Sequence, residues 1–348
     1  MGKNSINIYA IAKEAGVSPA TVSRVLTKSA RVSKEKRDKV QALIDKYNFK
    51  PNILARRLSN TESKTLGILS PDIRNPYFAA LFVECEKAAN ARGYTVLLCN
   101  SLGKNELEDS HLEGLFEQRV DAIIQTGGRI DQLISDKEYV EHVNRIANSI
   151  PVIIAGKLEG AECYQVKIDH DYAIEILMEY LIELGHREIA LVGGTKNARS
   201  TYDKQLRYKK ILREHAIKFN KNWIVEGDTY DIEGGYECMN RLFNLKKKLP
   251  SALIAINDFT AIGIMRSIRE HGLEIPRDIS VTSFDNTFVS EVATPKLTTI
   301  GYDYKLIGET LIDVAISAIQ KKELPRIQLI KSELVIRESC RQISEYNR

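Results

Sequence analysis

Ile8-Tyr9-Ala10-Ile11-Ala12-Lys13-Glu14-Ala15-Gly16-Val17-Ser18-Pro19-Ala20-Thr21-Val22-Ser23-Arg24-Val25-Leu26 decides how this chain is read. Asn7 can cap a first helix, and Ile8, Ile11, Ala12 and Ala15 fall on one face at helical spacing. Gly16 breaks that helix. Ser18 is a good N-cap residue, and Pro19 stands at the first helical position, where a missing N–H costs nothing. A second helix then buries Val22, Val25 and Leu26. Ser33 is placed to cap a third, running to about Tyr47 with Val40, Leu43 and Ile44 inward. Two short helices joined through a glycine turn and braced by a third make a helix-turn-helix.

Such a motif lays its second helix in the major groove, with the N-terminal residues at the base edges. Those residues here are Pro19, Ala20, Thr21, Ser23 and Arg24. Arg24 is the long donor able to pair with a guanine edge, while Pro19 and Ala20 offer apolar contact to a thymine methyl. Thr21, Ser23 and Tyr9 suit phosphates, which position a head without reading sequence. Ser18 and Arg31 complete the set expected at DNA in this segment.

Charge supports the reading. Residues 1–64 hold 14 Lys/Arg against 5 Asp/Glu, a net of +9, whereas the other 284 residues hold 36 against 41, a net of −5. A basic, periodically apolar end on a mildly acidic body is the footprint of a polyanion-binding head.

Residues 51–62 follow as a hinge. Asn52 can cap a helix of at most two turns, too short to be stable alone in water. From the residues alone, it is either a plain linker helix packing Leu54 and Leu58 on the core or a segment that folds against DNA or its own copy.

From residue 63 to 340, short apolar strands alternate with amphipathic helices. Strands are expected at 65–69, 94–98, 122–124, 152–154, 252–256 and 279–284, and within the turn, strand and Gly-rich loop of 185–194, with helices at 77–92 and 107–118 between the first of them. That alternation means doubly wound parallel sheets, and the length calls for two lobes. Ligands of open parallel sheets bind beyond the strands' C-terminal ends. Asp72, Asn75, Asn257, Asp258, Asp285 and Asn286 stand there.

The opening stretch resembles the signature of the LacI/GalR family of bacterial regulators, most diagnostically in Ala15-Gly16-Val17-Ser18 and Thr21-Val22-Ser23-Arg24. The likeness continues through Asn75-Pro76-Tyr77-Phe78, Leu184-Gly185-His186-Arg187, Ile256-Asn257-Asp258, Ser283-Phe284-Asp285-Asn286 and the terminal Leu334-Val335-Ile336-Arg337-Glu338-Ser339. It implies an all-α helix-turn-helix head on an α/β core whose two doubly wound parallel-sheet lobes are of the periplasmic-binding-protein type. The expected divisions are a head at 1–50, the hinge at 51–62, a core at 63–340 and a tail at 341–348. Within the core, lobe one is expected at about 63–166 and 298–326, and lobe two at about 167–297 and 327–340.

The resemblance also implies function: a transcriptional regulator, by family default a repressor, that binds palindromic operator DNA as a homodimer. A sugar or sugar derivative between the lobes would control it. It favours the DNA role for the hinge, with Leu58 as the wedge that kinks the duplex, Ala55 against the groove floor and Asn52 as the cap. Carried over by position, Phe78, Asn257 and Asp285 look like effector-pocket residues, with Asn75 beside them.

Two departures bear on the effector. Lys204 stands where the family often has an arginine, and Gly156-Lys157 stands where many members carry an acid. Lys204 with Arg199 could suit an anionic or phosphorylated sugar; alternatively, the position has lost its ligand role. A phosphorylated carrier protein, to which some members answer, is a further partner to consider.

The motifs of phosphate-binding loops, serine-hydrolase elbows and zinc peptidases are absent, so an enzyme is not expected. Cys85, Cys99, Cys163, Cys238 and Cys340 form no Cys-x-x-Cys pair, so no metal, cofactor or disulfide framework is expected. With no signal-like or membrane-length apolar run, a cytoplasmic location with no membrane partner is expected.

Overall fold

A computed structural model of the protein describes residues 6–26, 32–47, 49 and 63–343. These divide into two units, one ending at Ser63 and one beginning at Lys64.

Among its described residues the first unit contains three helices, α1 (Ile8–Ala15), α2 (Pro19–Leu26) and α3 (Lys34–Lys46). The Asn7 side chain accepts from the amides of Tyr9 and Ala10, and α1 ends on Gly16 in the left-handed conformation at φ 66°. Ser18 Oγ accepts from the Thr21 amide, so α2 is capped as its sequence specifies. Ser33 stands at the N-cap of α3 but makes no capping bond with its side chain. Ile11, Ala12, Val22, Val25 and Val40 close the core, with Leu43 and Ile44 partly buried beside them. Lys46 and Tyr47 at the end of α3 both reach Glu14 on α1.

The second unit is built twice on one plan. Its strands are β1 (Thr65–Ser70), β2 (Thr95–Asn100), β3 (Ala122–Gln125), β4 (Val152–Ile154), β5 (Tyr164–Ile168), β6 (Ile189–Thr195), β7 (Ile224–Gly227), β8 (Ala252–Ala255), β9 (Ser280–Asp285), β10 (Thr298–Tyr302), β11 (Ile327–Ile330) and β12 (Ser332–Val335). One sheet has the order β11-β5-β4-β3-β1-β2 and the other β12-β10-β9-β8-β6-β7. Pairing is parallel throughout except between β10 and β12. In each sheet the strand order reverses beside the first strand, and such switch points open a crevice for ligands.

Helices cover both faces, as parallel sheets require. Lobe one carries α4 (Pro76–Ala91), α5 (Asn105–Glu117) and α6 (Lys137–Ala147). Lobe two carries α7 (His170–Glu183), α8 (Arg199–Glu214), α9 (Ile232–Asn244), α10 (Asp258–Glu270) and the short α11 (Phe288–Val292). The last long helix, α12 (Tyr304–Ile319), returns to pack on α4 of lobe one. At Gly308 the helices approach so closely that a Cβ would stand 2.8–2.9 Å from the backbone of Glu84 and Cys85.

The lobe boundaries correct the expectation. Residues 298–302 belong to lobe two, because Thr298–Gly301 pair in parallel with Thr282–Asp285. Residues 327–330 belong to lobe one, because they pair with Gln165–Ile168. Each returning strand completes the sheet whose open edge it meets, and neither edge is marked in the sequence. The chain therefore passes between lobes after β5, after β10 and after β11.

Candidate DNA-reading face and effector cleft

Helix α2 divides by periodicity. Val22 and Val25 are buried, while Ser18, Ala20 and Arg24 are exposed and Pro19, Thr21 and Ser23 are half-buried. Ser18 and Thr21 also share a hydroxyl contact of 3.0 Å. The helix carries no acidic residue. Tyr9 on α1 is 69% exposed, so a phenol stands in water rather than in the core. The sequence-expected residues Tyr9, Ser18, Pro19, Ala20, Thr21, Ser23 and Arg24 thus fall on accessible parts of the head. Arg31, Asn52, Ala55 and Leu58 lie outside the described residues.

In the core, polar and aromatic residues beyond the strand ends of the two sheets come together. Asp285 ends β9 with φ 104°, a left-handed conformation that costs a non-glycine residue energy and recurs at functional sites. It is only 9% exposed, and among the described residues no hydrogen bond reaches its carboxyl. Burial, reinforced by the nearby Asp258 carboxylate, raises its pKa well above the usual carboxylate range, against the pull of Lys204. Lys204 lies one turn inside α8, buried, with its ammonium 4.8 Å from the Phe284 ring centroid. Burial lowers the Lys204 pKa, while Asp285, Asp131 and Asp203 hold its charge in place.

Aromatic rings fill the floor. Tyr77 meets Phe78 edge-on at 5.0 Å and lies 5.7 Å from Tyr304, whose hydroxyl donates to the Asp285 carbonyl at 2.9 Å. Phe78 also packs over the backbone of Gly127 beyond β3. On the opposite wall the Asn257 amide donates to the Tyr230 carbonyl, and the Tyr230 hydroxyl lies 3.0 Å from Thr201 Oγ1.

Phe78, Lys204 and Asp285 are therefore brought to one place, with Asn257 at its edge. Asn75 and Asn257 have structural work as well: each caps a helix, accepting from the amides of Tyr77 and Thr260. Arg199 is engaged elsewhere, donating to the Leu133 carbonyl at 2.5 Å and lying 3.4 Å from Glu159.

Sequence reasoning missed Asp131, His170, Tyr230 and Tyr304. His170 opens α7 at the first pass between lobes; its Nδ1 is buried without a partner, and burial together with Lys204 holds the imidazole neutral. The position after a strand end would have flagged Asp131, which follows β3 across Gly127 and Gly128. Among the described residues no group of three or more His, Cys, Asp or Glu is placed to hold a metal, and no helix is long and apolar enough to cross a membrane.

A helix-turn-helix unit joined to a two-lobed, doubly wound core with buried polar residues between its lobes defines a one-component regulator, in which one chain both senses a ligand and binds DNA. Comparison with known proteins agrees for each part. Residues 7–52 match the model of bacterial regulatory proteins of the lacI family, and residues 178–340 match the periplasmic binding protein-like domain. The HTH-type transcriptional repressor PurR of Haemophilus influenzae (strain PittEE) is 30% identical over 341 residues, covering 96% of this chain and 98% of that protein. Catabolite control protein A of Priestia megaterium is 32% identical over 299 residues, covering 85% and 87%. A crystal structure of the lac repressor dimer bound to operator and the anti-inducer ONPF superposes with a TM-score of 0.86 at 26% identity, covering 97% of this chain and 100% of that one. The chain belongs to the lacI family of bacterial regulatory proteins: it is a DNA-binding transcriptional repressor with a small-molecule-binding core, and not an enzyme.

Proposed function

We propose that this repressor binds a two-fold symmetric operator as a homodimer in the cytoplasm, and that a neutral, hydroxyl-rich small molecule of the sugar class, bound in the cleft, changes its grip on DNA. The observation that carries the effector reading is Asp285: a buried carboxyl held in a strained backbone conformation, facing Lys204 and ringed by aromatic side chains. A carboxylate so placed accepts from paired hydroxyls, and the rings of Tyr77 and Phe78 offer apolar faces to a sugar. Phe78, Lys204, Asp285 and Asn257 are the proposed effector residues, with Asn75 supporting them as a helix cap.

Lys204, at the family's arginine position, with nearby Arg199 suggests an anionic or phosphorylated effector from sequence. Arg199 has a partner in Glu159, and Lys204 is buried in the field of the Asp285, Asp131 and Asp203 carboxyls. A phosphate would enter a cleft where carboxylates outnumber cations, so the neutral ligand is favoured.

The dimer reading is supported by a groove of about 360 Å³ between α9, α10 and α11, lined by Ile232, Phe259, Ile262, Met265, Val289 and Val292. Phe288 and Val292 beside it are 70% and 71% exposed, an apolar patch suited to a second copy of the chain. At the DNA, Arg24, Pro19 and Ala20 are proposed to meet bases and Tyr9, Thr21 and Ser23 to meet phosphates, with Ser18, Arg31 and the hinge residues Asn52, Ala55 and Leu58 completing the contact.

The test is operator binding by full-length protein in the presence of neutral sugars and of their phosphates. A neutral sugar is expected to shift operator affinity about 5–150-fold. Asp285→Ala should abolish that shift while leaving ligand-free DNA affinity unchanged. A response confined to phosphorylated sugars, or one that survives Asp285→Ala, contradicts the proposal.

A further inference from the structure

Besides the three covalent passes, the lobes are joined by a strap of hydrogen bonds. The segment after the 3-10 turn Gly128–Asp131 runs antiparallel to the start of α8. Gln132 and Ala198 form an isolated antiparallel bridge. The Leu133 amide donates to the Asn197 carbonyl at 2.7 Å, and Arg199 Nη2 returns a bond to the Leu133 carbonyl at 2.5 Å. Asp131 then accepts from the Ser200 amide at 3.0 Å and from the Ser200 hydroxyl at 2.6 Å. Four consecutive residues of lobe two are thus engaged by three of lobe one.

Helix α8 explains why a carboxylate is needed there. Its N-cap position is Ala198, which makes no side-chain capping bond. Alanine is among the poorest residues at that position, and the first amides of a helix have no partner within it. Asp131 supplies the missing acceptor from the opposite lobe, with its negative charge at the positive end of the helix dipole. Burial raises the Asp131 pKa above the usual carboxylate range, and the two bonds from Ser200 oppose that rise. The turn bearing Asp131 is itself fixed: Arg129 binds the buried Glu108 through its amide and Nε, and only a glycine fits at 128, where a Cβ would collide with the Glu108 carboxylate. Lys204 lies one turn beyond Ser200 on the same helix, with its ammonium 4.8 Å from the Phe284 ring centroid.

We propose that Asp131 caps α8 from the other lobe, and that residues 131–133 and 197–200 form a latch that holds the lobes together and positions Lys204. Asp131 and Ser200 are positioning residues; Arg199 belongs to this latch. A two-state core responds to anything that favours one lobe arrangement over the other, and the latch is a bias built into the chain. The importance of closure rests on reading the cleft as the effector site, but the latch itself is testable with neither effector nor DNA present. Its failure and the failure of that reading are therefore separate results.

The experiment is amide hydrogen exchange on the full-length protein, comparing wild type with Asp131→Ala and Ser200→Ala. The diagnostic amide is Leu133, which bonds to Asn197 and to neither replaced side chain. A cap's ordinary worth corresponds to about 2- to 30-fold in an equilibrium, so Leu133 exchange should speed by that factor in both variants. The double variant should exchange no faster than Asp131→Ala alone, because the two act as one unit. Asp131→Asn, which keeps an acceptor for the Ser200 amide, should restore much of the protection. Ser200→Ala removes only a hydroxyl and keeps the test valid if Asp131→Ala fails to fold. Unchanged Leu133 exchange in Ser200→Ala, or additive effects in the double variant, would overturn the latch.

Discussion

In the head, Ser18, Pro19, Ala20, Thr21 and Arg24 are neighbours along one helix, placed by contacts within about forty residues of sequence. In the core, Phe78, Asp131, Lys204, Tyr230 and Asp285 come from five distant segments in two lobes. One surface is set by local periodicity and capping; the other exists only once two sheets have closed and the chain has passed between them three times. The two should therefore fail differently. Damage to the core's packing should silence sensing at a distance from the cleft, whereas the head should tolerate surface change and be sensitive only at its reading residues.

The largest effect is expected where α9 crosses α10. A Cβ at Gly263 would run into the Ile232 carbonyl and the Tyr236 amide, and one at Gly235 into the Thr260 carbonyl. Gly263→Ala should destabilise lobe two by about 1–3 kcal/mol or more. The lone tryptophan, Trp223, is buried in that lobe's core and reports the loss as a lowered fluorescence melting temperature. An unchanged melt would mean that the helices can part at no cost.

Next comes Arg24→Ala, expected to lose about 1–3 kcal/mol of discrimination between the operator and a variant site, with the Trp223 melt unaltered. Equal loss on all DNA sequences would reassign Arg24 to a phosphate.

A smaller, pH-dependent effect is expected at His186, which ties the turn before β6 to the far end of the chain through Ser251 Oγ at 2.9 Å and the Arg341 carbonyl at 3.1 Å. Burial lowers its pKa to about 4. Protonation thus favours the unfolded chain, where histidine titrates near 6.5. The stability it protects is whole above about pH 6.5 and is lost as pH falls toward about 4. His186→Gln should flatten the pH dependence of the Trp223 melt across that window; an unchanged slope would place the titration on other groups.

The smallest effect is expected at Glu14, where Lys46 and Tyr47 lower the carboxyl pKa on an exposed surface. Screened surface pairs contribute little. Glu14→Gln should leave head stability, followed by circular dichroism, unchanged; a clear loss would show the head to depend on this pair more than on its apolar core.

Legibility in the sequence follows the same division. Asn7, Gly16, Ser18 and Pro19 each mark a boundary of the head through a local backbone requirement, and the structure places the helices there. Most core strands were readable as apolar runs, including β1, β3, β4, β8 and β9. The four-residue edge strand β7 was not, and with it went Tyr230, whose place in the cleft depends on that strand's end. The assignment of β10 and β11 to opposite sheets was illegible because register against a distant partner leaves no local mark. The charge of Arg199 is visible in sequence and suggests an effector ligand, while the Leu133 carbonyl and Glu159 that it meets are not visible there.

The proposed function joins a head that reads symmetric DNA to a ligand bound between the lobes. The most direct measurement is selection from a random DNA library by the full-length protein, with the selected site retitrated across a panel of neutral sugars. A palindromic site is expected, together with at least one sugar that changes its affinity about 5–150-fold. No sequence preference at any salt concentration, or a selected site indifferent to every ligand that binds the core, would contradict it.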